Sequence, residues 1–180
     1  MMNELFEKSS NPFYKFGDLI NLKKIPRDEW VKFIVRRFKE DGKDIKEKTA
    51  ERICELTDDY SSYVQQLSWL VWINYEAERE SEMVEKSFEE LLNHCSILFE
   101  QQTQNHTAYQ MNFLKALIQG IEKDFTSSEI ISKYDLGTPG NIAKLKNSLV
   151  KKELIELSDR KYVITDPVLK EWLRRQFIYA

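Results

Sequence analysis

From Thr107 onward, each apolar run is preceded by its own start signal, and this order of signals constrains the chain more than any other feature. Thr107-Ala108-Tyr109-Gln110 is a capping box, opening a helix that buries Met111, Leu114, Leu117, Ile118 and Ile121. Thr126-Ser127-Ser128-Glu129 is a second box, opening a short helix with Ile130 and Ile131. Asp135-Leu136-Gly137 makes a turn. Thr138 caps a third helix, with Pro139 at its first position and Ile142, Leu145 and Leu149 as its stripe. Two short alternating runs, Leu154–Leu157 and Tyr162–Thr165, flank Ser158-Asp159-Arg160 and predict a hairpin. Asp166 and Pro167 start a last helix with Leu169, Trp172, Leu173 and Phe177 inward. Helix, short helix, turn, helix, hairpin is the order of a winged helix-turn-helix.

The preceding residues predict a helical bundle. Only 5 Gly and 4 Pro interrupt 180 residues, a composition that favours helices. A first helix opens at Pro26 and carries Trp30, Phe33, Ile34 and Phe38 as one stripe. A second runs from about Lys46 to Leu56 around Ala50, Ile53 and Cys54. The third, about Ser61 to Glu80, is apolar nearly all round between Val64 and Ile73, which predicts a central helix. At helical spacing its Trp69 and Trp72 read as core rather than as a ligand pocket. The fourth, about Ser81 to Glu100, has Val84, Phe88, Leu91, Leu92, Cys95 and Phe99 inward, and Gln101–Asn105 follows as a polar link. The expected class is therefore mainly α. Residues 1–24 form an N-terminal segment, 25–105 a helical bundle, and 106–180 a winged helix-turn-helix domain with a short β-hairpin.

Chemistry is sparse. Five scattered glycines build no phosphate-cradling loop. His94 and Cys95 are adjacent and diverge on a helix, and His106 has no partner at ligand spacing, so no metal is expected. Ser61-Ser62 and Ser127-Ser128 read as caps, and Asp58-Asp59 and Glu89-Glu90 as solvated faces. No catalytic residue and no cofactor-binding residue is assigned. Two cysteines within apolar patterns read as reduced thiols of a cytoplasmic protein. The N-terminus lacks the charged-then-apolar design of a signal peptide, and the run from Leu67 to Ile73 is too short to span a bilayer, so no membrane contact is expected.

The third helix of the C-terminal unit is the functional candidate. Gly140, Lys144, Asn147 and Lys151 fall opposite its apolar stripe, a face suited to a phosphate backbone, with Asn147 able to read a base edge. Arg160 and Lys161 at the hairpin tip reach toward a neighbouring groove or phosphate. Double-stranded DNA is the expected partner. The net charge of -3 is divided unevenly: residues 109–180 carry 12 Lys and Arg against 9 Asp and Glu, and residues 1–108 carry 15 against 21. A surplus of three positive charges is a modest basic balance for a DNA-binding unit.

Four runs carry a family resemblance. Phe13-Tyr14 with Leu19, the run Ile25 to Ile34 with Phe38, Tyr63 to Leu67 with Leu70-Val71-Trp72, and Asp166 to Leu169 with Trp172-Leu173 resemble the C-terminal half of archaeal-type ATPases of the AAA+/STAND class. The motifs are loose, but order and spacing agree along nearly the whole chain. The resemblance implies a helical lid followed by a winged helix, with ATP and Mg²⁺ held only by a P-loop domain that would lie before Met1. Tyr63–Trp72 contains no arginine to act as a nucleotide sensor, so no ATP contact is carried over. The implied role is a non-catalytic accessory fragment whose winged helix binds DNA. The alternative is an interaction module that packs on its own ATPase domain or on a protein partner. The apolar N-terminal stretch would pack on the ATPase core; left uncovered, Phe13, Phe16 and Leu19 would drive homodimers.

Overall fold

The computed structural model describes residues 23–76 and 79–178. The N-terminal stretch with Phe13, Phe16 and Leu19 lies outside the described residues. Eight helices and one hairpin follow in order. They are α1 (Arg27–Glu40), α2 (Glu47–Leu56), α3 (Ser61–Ile73), α4 (Glu80–Gln104), α5 (Ala108–Ile118), α6 (Ser128–Tyr134), α7 (Pro139–Lys151), β1 (Ile155–Ser158), β2 (Lys161–Ile164) and α8 (Pro167–Ile178).

The first three helices form a bundle with α4. α1 packs on α2, α3 on α4, and α2 on both α3 and α4. Pro26 stands at the N-cap of α1 rather than inside it. α2 has no capping side chain of its own. Glu80, the first residue of α4, supplies one from across the bundle: its carboxylate accepts the Lys46 N–H at 3.0 Å and the Thr49 hydroxyl, and pairs with Lys46 Nζ at 3.2 Å. Burial opposes ionisation of Glu80, but the Thr49 and Lys46 hydrogen bonds and the Lys46 charge outweigh it and hold the carboxyl below its usual range. A lowered folded pKa stabilises above the unfolded value, about 4.3, and that contribution is lost as pH falls through the folded value. Glu80→Ala is therefore expected to cost about 1 kcal/mol at neutral pH, and a thermal melt should show the gap to wild type closing below about pH 4.

α3 is not the central helix. Val64, Leu67, Leu70 and Val71 are buried, but Trp69 is 58% and Ile73 50% exposed, and Trp72 is also on the surface. Phe33 of α1 stands out beside them at 43%, so the expected stripe Trp30, Phe33, Ile34, Phe38 is in fact Trp30, Val31, Ile34 and Phe38. α3 also stops at Ile73, well short of Glu80. The central element is α4, whose Val84, Phe88, Leu91, Leu92 and Phe99 are all buried. It runs through the expected polar link to Gln104 and is capped by Asn105. The link is polar because this last turn faces water, not because the helix ends.

α8 returns to pack on both α4 and α5, and the second half of the chain is thereby joined to the bundle. Trp172 meets Phe99 at a ring separation of 5.9 Å. Arg175 pairs with Glu89 (Nη2 to Oε1, 2.7 Å), and the hydroxyls of Tyr60 and Tyr63 donate to Thr165 O and Asp166 Oδ2, each at 2.6 Å. The buried residues form one apolar cluster from Trp30 to Leu173. Within the second half, the core centres on a pair the periodicity does not mark. Phe113 stacks on Phe125 at 4.3 Å, and both are essentially inaccessible, whereas Met111, Ile118 and Ile121 are only half-buried.

Among the described residues no helix is long and apolar enough to cross a membrane.

Candidate nucleic-acid interface

Three local devices set α7. Thr107 closes its capping box with Gln110, and the buried Gln110 side chain then donates to Ser148 Oγ of α7 at 2.8 Å, fixing α7 across α5. α6 is capped by Ser127, whose hydroxyl accepts the Ile130 N–H at 3.3 Å; Thr126, the expected cap, lies one residue too early. The α6–α7 turn needs left-handed backbone at Asp135 (φ 48°) and Gly137 (φ 85°). A Cβ at Gly137 would stand 3.2 Å from the Asn141 amide and 3.5 Å from the Tyr109 ring, so this turn is closed to a larger residue. Thr138 is the N-cap of α7 without a side-chain bond, and Pro139 begins the helix.

Ile142, Leu145 and Leu149 bury the inner face of α7. Gly140, Lys144, Asn147 and Lys151 are all exposed on the outer face, as their spacing requires. Among the described residues, Lys144, Asn147 and Lys151 form no ion pair or side-chain hydrogen bond. Lys146 is different: its ammonium lies 4.6 Å from the Tyr162 ring centre and 5.1 Å from that of Phe125, and burial pushes its pKa down. It belongs to the packing between α7 and the hairpin, not to the free face.

The hairpin is tighter than expected. Ser158 pairs with Lys161, so the loop is two residues, Asp159 and Arg160, both with positive φ (48° and 65°), the geometry of a type I′ turn. Ser158 belongs to the strand. Arg160 projects at the tip, exposed. Lys161 beside it is paired: its ammonium meets the Glu122 carboxylate at 2.7 Å, and the Tyr162 N–H donates to Glu122 O. The Glu122 contact, a hydrogen bond and a charge together, raises the Lys161 pKa and offsets its positive charge. A left-handed arginine is strained relative to glycine. Arg160→Gly is expected to raise stability by roughly 0.5–1 kcal/mol in a denaturant titration.

The structure thus leaves Lys144, Asn147, Lys151 and Arg160 exposed, and engages Lys161 in a surface ion pair with Glu122. Val150 and Leu157 are exposed as well, at 43% and 61%. His94 makes only a long contact with Glu90, and among the described residues no group of three or more His, Cys, Asp or Glu could hold a metal ion.

This arrangement has relatives. Residues 97–175 match the family described as "Probable winged helix domain". The second half of the chain is a winged helix domain. Its family match begins inside α4, in keeping with the continuity of that helix. The whole fold resembles that of a Walker-type ATPase of Pyrococcus abyssi: 22% identity, a TM-score of 0.70, 96% of this chain and 49% of that chain covered. The chain therefore spans about half the length of the ATPase it matches. No curated protein sequence matches it.

Proposed function

We propose that this chain is a non-catalytic accessory unit of a P-loop ATPase, and that its winged helix lays α7 on duplex DNA. The observation that carries the DNA reading is the row Lys144, Asn147, Lys151 on the outer face of α7, exposed and uncompensated, with Arg160 exposed at the tip of the wing. Lysines give backbone attraction without sequence preference, and an exposed amide between them suits a base edge. The ATPase relation rests on the family resemblance and on the fold shared with a Walker-type ATPase. The sequence has no glycine-rich phosphate loop, and on this reading ATP and Mg²⁺ would be held by a P-loop domain of the ATPase rather than by these residues. Division into a lid-like bundle (25–105) and a winged unit (106–180) goes with this reading, as does a cytoplasmic setting, where Cys54 and Cys95 stay reduced.

Fluorescence anisotropy with a mixed-sequence duplex tests it. Three cations imply a log–log salt slope of roughly −3. Lys144→Glu with Lys151→Glu should weaken binding more than about tenfold and reduce the slope magnitude by about 2. The same reversal at Lys39 and Lys48, exposed on the bundle, should leave binding nearly unchanged. Binding that is undetectable at low salt, or insensitive to the α7 reversal, refutes the DNA reading.

A second reading has its own support. Val150 of α7 and Leu157 of β1 stand exposed, and exposed apolar residues suit a protein surface. In that case the winged helix packs on its own ATPase domain or on another protein, and Val150→Asp with Leu157→Asp abolishes that contact while the lysine reversals do not.

A further inference from the structure

The bundle leaves one side open. α1 and α3 each pack on α2 yet barely on each other, so a groove runs between them. Two hollows lie along it. The first, about 360 Å³, is walled by Trp30, Phe33 and Phe38 of α1 and by Trp69 and Trp72 of α3. The second, about 610 Å³, lies past Phe33 and Gln65. On the α1 side the first reaches from Trp30 to Asp41 and the second from Ile25 to Arg36. That offset of five residues is about 7 Å along a helix. Phe33 and Trp69 are 43% and 58% exposed, ring surface that water does not favour.

Charge and shape together select what this groove takes. α3 carries no charged side chain. α1 carries five Lys and Arg against three Asp and Glu, although residues 1–108 as a whole are acidic, with 15 against 21. Arg36 and Arg37 share the single carboxylate of Glu40, at 3.8 and 2.8 Å, which leaves one positive charge over. Lys43 stands at the Trp72 end, its ammonium 3.7 Å from that ring centre, and among the described residues it forms no ion pair. An aromatic floor without charge inside a positive rim is the composition of a protein-docking surface, and it favours an acidic occupant. A second copy of the same face would bring like charges together. The hollows have room for a few large apolar side chains, not for a whole segment. Gln65 and Ser68 are the only uncharged polar side chains of their lining apart from the indoles. An extended backbone laid there would leave N–H and C=O groups unpaired, a cost that a helix avoids by pairing its own. On a helix, residues i and i+4 stand about 5–6 Å apart, close to the offset of the hollows. We propose that the groove between α1 and α3 receives an amphipathic helix of a protein partner, with large apolar residues at i and i+4 and acidic residues along its flanks. This docking is independent of the DNA reading, because α7 and the wing take no part in it.

The probe is a fluorescein-labelled helical peptide of about 16 residues, with leucines at i and i+4 and glutamates on the flanks. A matched probe carries lysine in place of glutamate. Titrated with the full chain, the acidic probe should give saturable anisotropy and bind at least about tenfold more tightly than the basic one. Trp69→Glu, at an exposed position, should weaken the acidic probe about tenfold or more with unchanged circular dichroism. Arg36→Glu with Lys43→Glu should reverse the preference between the two probes. The indole N–H resonances of Trp69 and Trp72 should shift on binding, while that of Trp172, packed on Phe99, stays in place. No saturable binding of the acidic probe, equal binding of both probes, or binding indifferent to Trp69→Glu overturns the proposal. A chain that is a dimer by light scattering and becomes a monomer on Trp69→Glu overturns it in favour of a second copy.

Discussion

Phe99→Ala is expected to cost about 3–5 kcal/mol and to unfold both halves of the chain together. The ring is 1% exposed, on a helix that belongs to the bundle, and packs against Trp172 of the last helix in the winged half. Removing it leaves a cavity bounded by residues of both halves, and neither can close it without moving the other. For a domain whose total stability is on the order of 5–15 kcal/mol, this is a large fraction. Urea titrations followed by far-ultraviolet circular dichroism, which reports all eight described helices, and by tryptophan fluorescence, which is dominated by the bundle, should shift together by the same amount. If only the winged half loses stability and the bundle transition stays in place, the shared core is not cooperative and α4 is a mere tether between two independent units.

That continuity explains where the sequence is legible and where it is not. The start signals of the winged half are covalently local. Thr107 and Gln110 form their box over three residues, Asp135 and Gly137 adopt the turn they suggest, and Pro139 opens α7. Such features depend on near neighbours, so sequence suffices to place them. The hairpin turn is one residue shorter than its sequence suggests, because a type I′ turn is normally announced by glycine and here Arg160 takes that backbone conformation unaided. The polar link at 101–105 misled for a different reason. A solvated last turn and a loop have the same composition, and only the return of α8 onto α4 decides between them.

The aromatic residues show the stronger limit. Periodicity ranks the faces of α3 by hydrophobicity, but a helix apolar on two sides says nothing about which side is covered. Trp69 and Trp72 therefore look like core and are surface, while Phe113 and Phe125, outside any stripe, form the centre of the winged core. The candidate interface divides in the same way. Lys144, Asn147 and Lys151 are legible because their position opposite Ile142, Leu145 and Leu149 is a matter of helical geometry. The pairing of Lys161 is not, because its partner Glu122 is brought to it by the fold.

Asp166→Ala should be the most damaging polar substitution in the protein, at about 2–4 kcal/mol. One oxygen of this carboxylate accepts the N–H groups of Val168 and Leu169, both at 2.9 Å, and so caps α8. The other accepts the Tyr63 hydroxyl from α3 at 2.6 Å. Alanine removes the cap, worth about 1 kcal/mol, and strands a half-buried hydroxyl, worth roughly 1–3 kcal/mol. The two losses separate in a double-mutant cycle: Tyr63→Phe should destabilise the native chain yet be nearly neutral once Asp166 is alanine. Additive losses would mean that the hydroxyl and the carboxylate do not depend on each other. Titration gives a second handle. Burial, then the bond to Asp166, pushes the Tyr63 hydroxyl well above its ordinary range. With the folded pKa raised, the contribution of Tyr63 is complete below the unfolded value, about 10, and falls as pH rises beyond it. Wild type should therefore lose stability above about pH 10 more steeply than Tyr63→Phe. The same contact bears on function, because Tyr60 and Tyr63 hold Thr165 and Asp166 at the junction of wing and α8. Loosening that junction frees the winged helix to tilt against the bundle, so Asp166→Ala should weaken any ligand that must touch both, while DNA held by α7 alone should still bind wherever the variant remains folded.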